Sequence, residues 1–238
     1  MELKTIAKIH TDFPVKFGLP RQSGIVDELC GTIVFEAAYR NPDALRGLEG
    51  YSHLWILWGF SENFANAKNG AESEDNWSPT VRPPRLGGNK RVGVFSTRSP
   101  NRPNRIGLSC VKIRAIDYDT EHAPVIRVSG IDMIDGTPVY DIKPYLPYVD
   151  SHPEASGGFA AEHVEDRLEV DFPDELLQKI PADKRDALIK VLEQDPRPSY
   201  HHDDKREYGF PFAEFEIKFT VSDSTASVTD VIRRKTNT

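Results

Sequence analysis

The stretch Leu54-Trp55-Ile56-Leu57-Trp58-Gly59-Phe60 is the longest apolar run in the chain, and its length predicts a buried strand and not a membrane span. Similar runs, rich in β-branched and aromatic residues and separated by Gly, Pro, Asn and Asp, recur through the first half of the chain. The predicted strands are Leu3–His10, Gly31–Phe35, His53–Phe60, Arg91–Phe95, Leu108–Asp117, Val125–Ile131 and Val139–Ile142. Many short strands with few helices predict a mainly β N-terminal barrel and not a doubly wound sheet.

The second half of the chain has a different pattern, which begins after a Ser-, Pro- and Gly-containing stretch that is typical of a linker. A strand is predicted over Arg167–Phe172, and apolar residues at helical spacing then predict two short helices separated at Pro181. Clean alternation of apolar residues predicts a further strand over Phe215–Val221. We therefore predict two domains, the barrel over residues 1–155 and a small α+β C-terminal domain over residues 156–238.

The 238-residue chain is acidic overall, with 30 Lys and Arg against 37 Asp and Glu and a formal net charge of −7. The segment Asn76–Ile116 nevertheless contains no Asp or Glu and nine basic residues. Two interpretations remain open for this segment: a local basic face for a polyanionic partner, or charges that are simply solvated. The start of the chain has no signal-peptide core, which predicts a cytoplasmic protein.

Several catalytic classes are excluded because their motifs are absent. No two of the 16 glycines are separated by a single residue, so the chain lacks the G-x-G fingerprint of dinucleotide-binding Rossmann folds. It has neither a P-loop nor a G-x-S-x-G nucleophile turn. The His-His-Asp-Asp run at residues 201–204 lacks the ligand spacing of zinc sites, and Cys30 and Cys110 lie 80 positions apart. We therefore predict no metal site and two buried free thiols.

Three arginines lie between Phe95 and Gly107, in a segment whose prolines and asparagines favour a rigid turn. On such a turn Arg98, Arg102 and Arg105 would be preorganised to bind a carboxylate or phosphate through paired hydrogen bonds. The alternative is a tight loop whose arginines pair with acidic residues of the fold itself. The sequence leaves both interpretations open.

A second cluster follows the turn signature Asp135-Gly-Thr-Pro138. Asp141, Lys143 and Tyr145 alternate along a chain stiffened by two prolines, so their side chains are predicted to project on one side. An acid, an ammonium and a phenol on one face are typical of an active site. They are equally typical of a structural Asp–Lys pair beside a packed tyrosine.

Eight short blocks occur in order along nearly the whole chain. They are Pro20-Arg-Gln22, Gly50-Tyr-Ser-His-Leu-Trp-Ile-Leu57, Pro79-Thr-Val-Arg-Pro-Pro-Arg-Leu-Gly-Gly88, Gly93-Val-Phe-Ser-Thr-Arg-Ser99, Arg102-Pro-Asn-Arg-Ile-Gly107, Asp135-Gly-Thr-Pro138, Asp141-Ile-Lys-Pro-Tyr145 and Asp195-Pro-Arg-Pro198. Together they closely resemble the TsaA/TrmO-like tRNA methyltransferase family. Small departures, such as Ser199 after the last block, lie outside the blocks.

The resemblance implies an S-adenosylmethionine-dependent enzyme whose cofactor domain is a non-Rossmann β-barrel. The implied reaction methylates N6 of N6-threonylcarbamoyladenosine, the modified base next to the tRNA anticodon. The family pattern also implies a homodimer with the cofactor near the subunit interface, and tRNA as the partner.

On the family pattern, cofactor contacts are expected at Pro20, Arg21, Gln22, Phe60, Ser61, Arg98, Leu108, Asp132, Met133, Ile134 and Asp135. Within this set, Arg98 or Arg21 would hold the cofactor carboxylate and Asp132 or Asp135 the ribose hydroxyls. The ring of Phe60 would stack on the adenine.

The expected catalytic residues are Asp141 or Tyr145 as general base and Lys143 as the group that holds the threonyl carboxylate. RNA contacts are expected at Arg82, Arg85, Arg102, Asn104, Arg105, Arg197 and Tyr200. Tyr145 or Tyr200 would stack on the extruded base.

The sequence leaves two other functions as alternatives to methyl transfer. The first is a barrel that binds S-adenosylmethionine or RNA without transferring a methyl group. The second, an RNA nuclease, fits less well, because the basic segment contains neither a histidine pair nor a carboxylate cluster for a metal.

Overall fold

The structure is a computed structural model that describes residues 2–60, 77–83, 90–163, 167–197 and 206–235. Its strands are β1 Ala7–Thr11, β2 Cys30–Phe35, β3 His53–Gly59, β4 Thr80–Val81, β5 Val92–Gly93, β6 Ile106–Asp117, β7 Val125–Ser129, β8 Thr137–Pro144, β9 Glu169–Asp171, β10 Tyr208–Phe212, β11 Phe215–Ser222 and β12 Thr225–Arg233. The α-helices are α1 Pro147–Asp150, α2 Asp174–Leu177 and α3 Ala182–Glu193; 3-10 helices cover Ala37–Tyr39, Pro42–Leu45, Leu48–Gly50, Val94–Ser96 and Gly158–His163. Among these described helices, none is long and apolar enough to span a bilayer.

Six strands close into a barrel in the order β1-β2-β7-β6-β3-β8, and β8 pairs back with β1. Every neighbouring pair in the barrel is antiparallel. Along β3, Leu54, Ile56 and Trp58 are buried in the barrel, because successive side chains of a strand lie on opposite faces. The predicted mainly β N-terminal barrel is thus confirmed.

One predicted strand does not belong to the barrel. Of the stretch Arg91–Phe95, only Val92–Gly93 is a strand, and it pairs with Thr80–Val81 in a separate two-stranded sheet. The chain then turns through the 3-10 helix Val94–Ser96, which is closed by a hydrogen bond from the Thr97 N–H to the Val94 carbonyl. The prediction of a strand was correct in this region, but the tight turn ends the strand after two residues.

A β-bulge interrupts the pairing of β3 with β8. Leu57 pairs with Asp141 but the next residue, Trp58, pairs with Val139, so Tyr140 is the extra residue on β8. Val139 lies in the core opposite the buried Trp58, whereas Asp141 lies opposite Leu57 on the outer face. The bulge therefore moves Asp141 to the face opposite that of Val139, although the two residues are separated by only one position.

The C-terminal part is a four-stranded mixed sheet in the order β10-β11-β12-β9, in which only β9 and β12 are parallel. The predicted alternating strand is confirmed as β11, whose residues Phe215, Ile217, Phe219 and Val221 are all buried. Helices α2 and α3 are separated at Pro181, as predicted. Sequence patterns did not predict β10 and β12, the two strands that flank β11.

The barrel and the C-terminal part share one hydrophobic core. Phe13 packs edge-on against Phe212 of β10 with ring centroids 5.3 Å apart, and the Ala213 N–H donates to the Asp12 carbonyl at 2.7 Å. Lys184 of α3 also forms an ion pair of 2.5 Å with the Asp12 carboxylate. The C-terminal part is therefore packed against the barrel by apolar, hydrogen-bonded and ionic contacts together.

The prediction of two buried thiols was wrong for Cys30, which is exposed, while Cys110 is half-buried. In β2, Gly31, Ile33 and Phe35 face the core. Because the side chains of a strand alternate, Cys30 points to the outer face.

Candidate active site

A cavity of about 850 Å³ lies where one rim of the barrel meets the C-terminal part. Three loops, the adjoining ends of β3 and β6, and the end of α3 form its walls. The lining residues are Lys16, Phe17, Gly18, Leu19, Pro20, Arg21, Gln22, Trp58, Phe60, Thr97, Arg98, Pro100, Arg102, Ile106, Gly107, Leu108, Asp132, Met133, Ile134, Thr137, Val191, Gln194, Asp195, Pro196 and Arg197. A mixed apolar and polar cavity of this size is typical of a small-molecule site.

The first wall is the loop that carries Pro20, Arg21 and Gln22. Gly18 precedes them with φ +91°, and a Cβ at this position would lie 2.5 Å from the Phe210 ring of β10. Only glycine combines that backbone conformation with the close approach. The neighbouring Phe17 packs edge-on against the same Phe210 ring. The C-terminal sheet therefore fixes the position of the loop that carries the expected cofactor contacts.

The second wall is the arginine-containing turn. The Thr97 hydroxyl accepts from the Ser99 N–H at 3.2 Å and donates to the Val94 carbonyl at 2.8 Å, which holds the start of the turn. Arg98 then donates to the Gln22 side-chain carbonyl at 2.5 Å. This bond joins the first and second walls and places a guanidinium group at the cavity surface.

The third wall contains a hydrogen-bonded chain of three side chains. Trp58 donates from its indole N–H to the Ser109 hydroxyl at 2.9 Å, and Ser109 donates to the Asp132 carboxylate at 2.6 Å. Burial raises the pKa of Asp132 to about 6, against the opposing effects of the Ser109 hydroxyl, backbone N–H groups and the positive charge of Arg98. A carboxylate that is costly to ionise and faces a cavity is typical of a functional site.

An aromatic corner completes the cavity. Trp58 and Phe60 have ring centroids 4.3 Å apart with their planes tilted by 56°. Gly107 of β6 lies against the Trp58 ring, and any Cβ there would fall far inside van der Waals contact. Aromatic faces, a buried carboxyl group and a guanidinium group around one cavity can together bind a nucleoside that carries a charged tail.

Nine of the eleven expected cofactor residues line this cavity, namely Pro20, Arg21, Gln22, Phe60, Arg98, Leu108, Asp132, Met133 and Ile134. Asp135 is not among the lining residues; its carboxylate instead accepts from the Thr11 N–H at 3.1 Å and lies 3.1 Å from the His10 ring. Ser61 lies outside the described residues. Contact of these residues with a cofactor stays a prediction.

The expected catalytic residues lie elsewhere. Asp141 and Lys143 form an ion pair of 2.8 Å on the outer face of β8, and Tyr145 packs beside Trp55 and His53 with centroid distances of 5.9 and 6.1 Å. None of the three expected residues is among those that line the cavity. Within one chain, this arrangement is that of a structural Asp–Lys pair beside a packed tyrosine. A catalytic role for these residues stays a prediction.

The expected RNA contacts divide into three groups. Arg102 and Arg197 line the cavity, and both oxygens of Asp195 hold Arg197 at 2.8 and 2.9 Å. Arg82 and Asn104 are exposed and Arg105 is half-buried, and none of the three is among the residues that line the cavity. Arg85 and Tyr200 lie outside the described residues.

Two aromatic residues, one of them close to the cavity-lining Arg102, were not predicted to be functional. Phe95 is 71% exposed, and its ring centroid lies 5.8 Å from that of Trp77. The signal that could have found them is the occurrence of aromatic side chains in a basic segment that has no acidic residue.

The fold and the cavity together define a class: a closed antiparallel barrel with a nucleoside-type site outside the Rossmann architecture. Comparisons with known proteins identify the family within this class. Residues 8–151 match the tRNA-methyltransferase O N-terminal domain, and residues 165–234 match the TrmO C-terminal domain.

Individual relatives agree with these matches. The chain is 38% identical over 231 residues to a tRNA (adenine(37)-N6)-methyltransferase of Escherichia coli, with 94% of each chain covered. It is 30% identical over 151 residues, 63% of this chain and 94% of the other, to a probable S-adenosyl-L-methionine-binding protein of Methanothermobacter thermautotrophicus. A crystal structure of TrmO from Pseudomonas aeruginosa superposes with a TM-score of 0.74 at 28% identity, with 97% of this chain and 98% of the other covered.

The chain belongs to the TrmO family, which confirms the resemblance noted in the sequence, and it is an S-adenosylmethionine-dependent methyltransferase.

Proposed function

We propose that the protein methylates N6 of N6-threonylcarbamoyladenosine next to the anticodon of tRNA. The observation that carries the proposal is the cavity itself, in which Asp132, Arg98 and the aromatic corner meet beside the basic segment Asn76–Ile116. The relatives named as tRNA (adenine(37)-N6)-methyltransferases support the same position and atom.

The residues of the cavity fit S-adenosylmethionine group by group. Arg98 or Arg21 would bind its carboxylate, and Asp132 would accept hydrogen bonds from its ribose hydroxyls. The ring of Phe60, held beside Trp58, would stack on its adenine. Because the ionised form of Asp132 is the stronger acceptor, this contact should strengthen as pH rises through the Asp132 pKa of about 6.

When bound, the cofactor supplies a methyl group on a sulfonium centre that is open to in-line attack. The protein's contribution is mainly to position the acceptor nitrogen on that line. Methylation of N6 would form a carbon–nitrogen bond at the expense of the carbon–sulfur bond, and the N6 proton would have to leave. Asp141 or Tyr145 would accept this proton, and Lys143 would hold the threonyl carboxylate.

The outer-face position of Asp141, Lys143 and Tyr145 supports a homodimer as the active form. In a dimer, this face of one subunit would complete the cavity of the other subunit. Two exposed apolar side chains on the adjacent helix α1, Tyr148 at 82% and Val149 at 50%, are available for such a contact. The face that carries the ion pair would then be an interface and not a solvated surface.

The tRNA would bind along the basic segment and across the cavity opening. Arg82, Arg102 and Arg105 would contact phosphates, Asn104 would add a polar contact, and Arg197 would extend the surface from the C-terminal part. Arg85 and Tyr200 remain proposed contacts. We place the domain boundary near residue 155, between the two family matches, and the protein in the cytoplasm, where tRNA is modified.

The experiment that tests the proposal is a single-turnover transfer of labelled methyl from S-adenosylmethionine to two tRNA pools. One pool carries threonylcarbamoyladenosine and the other lacks it, and the digested nucleosides are analysed by mass. Label on the modified nucleoside alone supports the full proposal. Label on unmodified adenosine would remove the threonylcarbamoyl requirement.

Matched variants make the same experiment specific to the cavity. Arg98→Ala should lose most transfer, whereas Arg46→Ala, which removes a surface ion pair with Asp43, should keep it. Cofactor binding by the wild type without a labelled product would favour the alternative, a binding module that does not transfer methyl. Strand cleavage without added cofactor would favour a nuclease.

A further inference from the structure

We propose that Trp77, Phe95 and Arg102 form a stacking platform for an unpaired RNA base that flanks the methylated adenosine. This inference rests on the proposed function, since it assumes that the target adenosine is presented at the opening of the cavity. It adds a specific binding site for the neighbouring nucleotide.

The platform is an exposed aromatic pair with a cation beside it. Phe95 is 71% exposed and Trp77 is 38% exposed; their ring centroids are 5.8 Å apart with planes tilted by 34°. The guanidinium carbon of Arg102 lies 5.9 Å from the centroid of Phe95. Soluble proteins bury most phenylalanines, so a large exposed ring in contact with a second one indicates an interaction surface.

The backbone below the platform is held in place. Val94, the residue before Phe95, is buried, and its N–H donates to the Pro79 carbonyl at 2.9 Å. The Thr97 N–H and hydroxyl both donate to the Val94 carbonyl, which closes the turn under the Phe95 ring. Phe95 is therefore exposed on an anchored turn, which reduces the entropy lost when a base stacks on it.

Arg102 connects the platform with the cavity. Its guanidinium donates to the Thr97 carbonyl at 3.1 Å and lines the cavity while also facing Phe95. One side chain therefore separates the two sites. When the target adenosine lies at the opening of the cavity, the adjacent base of the same strand is the group within reach of the platform.

The charge of the surrounding chain favours RNA over a protein partner. No acidic residue occurs from Asn76 to Ile116, and Lys90 and Arg91 are exposed close to β5. Single-stranded RNA is recognised by aromatic rings that stack on bases together with cations that meet the phosphates. A second copy of this acidic chain is the competing occupant, and a measurement of molecular mass distinguishes it from RNA.

The test uses an anticodon stem-loop RNA with 2-aminopurine at each nucleotide flanking the target adenosine in turn. Phe95→Leu keeps an apolar side chain without a ring, Phe95→Tyr keeps the ring, and Tyr39→Leu removes an exposed ring elsewhere. We expect Phe95→Leu to weaken RNA binding by about 5- to 150-fold and to lose the fluorescence quenching of one 2-aminopurine. Phe95→Tyr and Tyr39→Leu should behave as the wild type does.

Two results would overturn the platform. The first is unchanged affinity and quenching in Phe95→Leu at every probe position, in a variant with wild-type melting temperature. The second is a change in molecular mass by light scattering, which would make Phe95 a subunit contact. Because binding is measured without cofactor, wild-type protein that shows the quenching but transfers no methyl to full-length tRNA would contradict only the proposed function.

Discussion

Ser109 donates a 2.6 Å hydrogen bond to Asp132, and the same hydroxyl accepts from the indole of Trp58. The serine thereby fixes the orientation of a carboxyl group that burial makes costly to ionise. At neutral pH the group is ionised in spite of that cost, because its pKa is about 6. A charge maintained at a cost in stability, on the wall of a cavity, is typical of function rather than of packing.

The cost of ionising the buried Asp132 is measurable as a change in the free energy of unfolding. The pKa of Asp132 is higher in the folded protein than in the unfolded chain, so its contribution is favourable at low pH and is lost as pH rises through about 6. We expect Asp132→Asn, which keeps an acceptor for Ser109, to stabilise the fold by about 1–3 kcal/mol at pH 7.5. Thermal unfolding at pH 7.5 and pH 5 measures the difference, which should shrink at the lower pH.

Cofactor affinity should also depend on the Asp132 carboxyl group. The fold is more stable when this group is protonated, whereas cofactor binding should favour its ionised form. If Asp132 accepts from the ribose hydroxyls, binding requires the ionised form, and affinity should fall by about tenfold per pH unit below 6. Isothermal titration with S-adenosylmethionine between pH 5 and 8 measures this slope. Asp43→Asn, a surface change, should retain it, while Asp132→Asn should flatten it. If the affinity of the wild type did not change with pH, a hydrogen bond between Asp132 and the ribose would be contradicted.

A complementation experiment tests the proposed dimer. Arg98→Ala removes a group from the cavity, and Asp141→Asn removes one from the outer face. Each variant alone should be nearly inactive, but mixing them after subunit exchange should restore up to about one quarter of wild-type turnover. This follows because half of the subunits are in heterodimers, each of which has one intact composite site. Continued inactivity of the mixture, with heterodimers present, would contradict shared sites.

Gly107 offers a test of the aromatic corner. A methyl group at this position would overlap the ring of Trp58, so Gly107→Ala must displace the indole that bonds Ser109. Overpacking of this kind costs about 1–3 kcal/mol and should also weaken cofactor binding. Gly50→Ala is the matched control because a Cβ there meets no atom within 4 Å. Melting temperature and cofactor titration of both variants give the comparison.

Much of the barrel could be predicted from the sequence, because its strands are apolar, β-branched and separated by turn residues. The position of Asp141 could not be predicted in the same way. Strict alternation places Asp141 on the same face as the buried Val139, and only the bulge at Tyr140 moves it outward. A bulge depends on pairing with a distant strand, which local sequence does not record.

The candidate site shows the same limit. The family blocks located Gln22 and Arg98, and the family pattern implied Asp132. The hydrogen bond between Gln22 and Arg98, which are 76 positions apart, depends on how the loops meet. The exposure of Phe95 could not be predicted either, because its neighbours predict a longer strand that would half-bury it. The strand ends early because the chain turns at Val94, whose carbonyl accepts from the Thr97 N–H and whose N–H donates to the Pro79 carbonyl.

The lining of the cavity runs from Lys16 to Arg197 and so draws on both the barrel and the C-terminal part. During synthesis at about 5–20 residues per second, the barrel strands leave the ribosome long before the turn that carries Arg197, a delay on the order of seconds. A nascent chain therefore has no complete pocket until the residues around Arg197 have also left the ribosome.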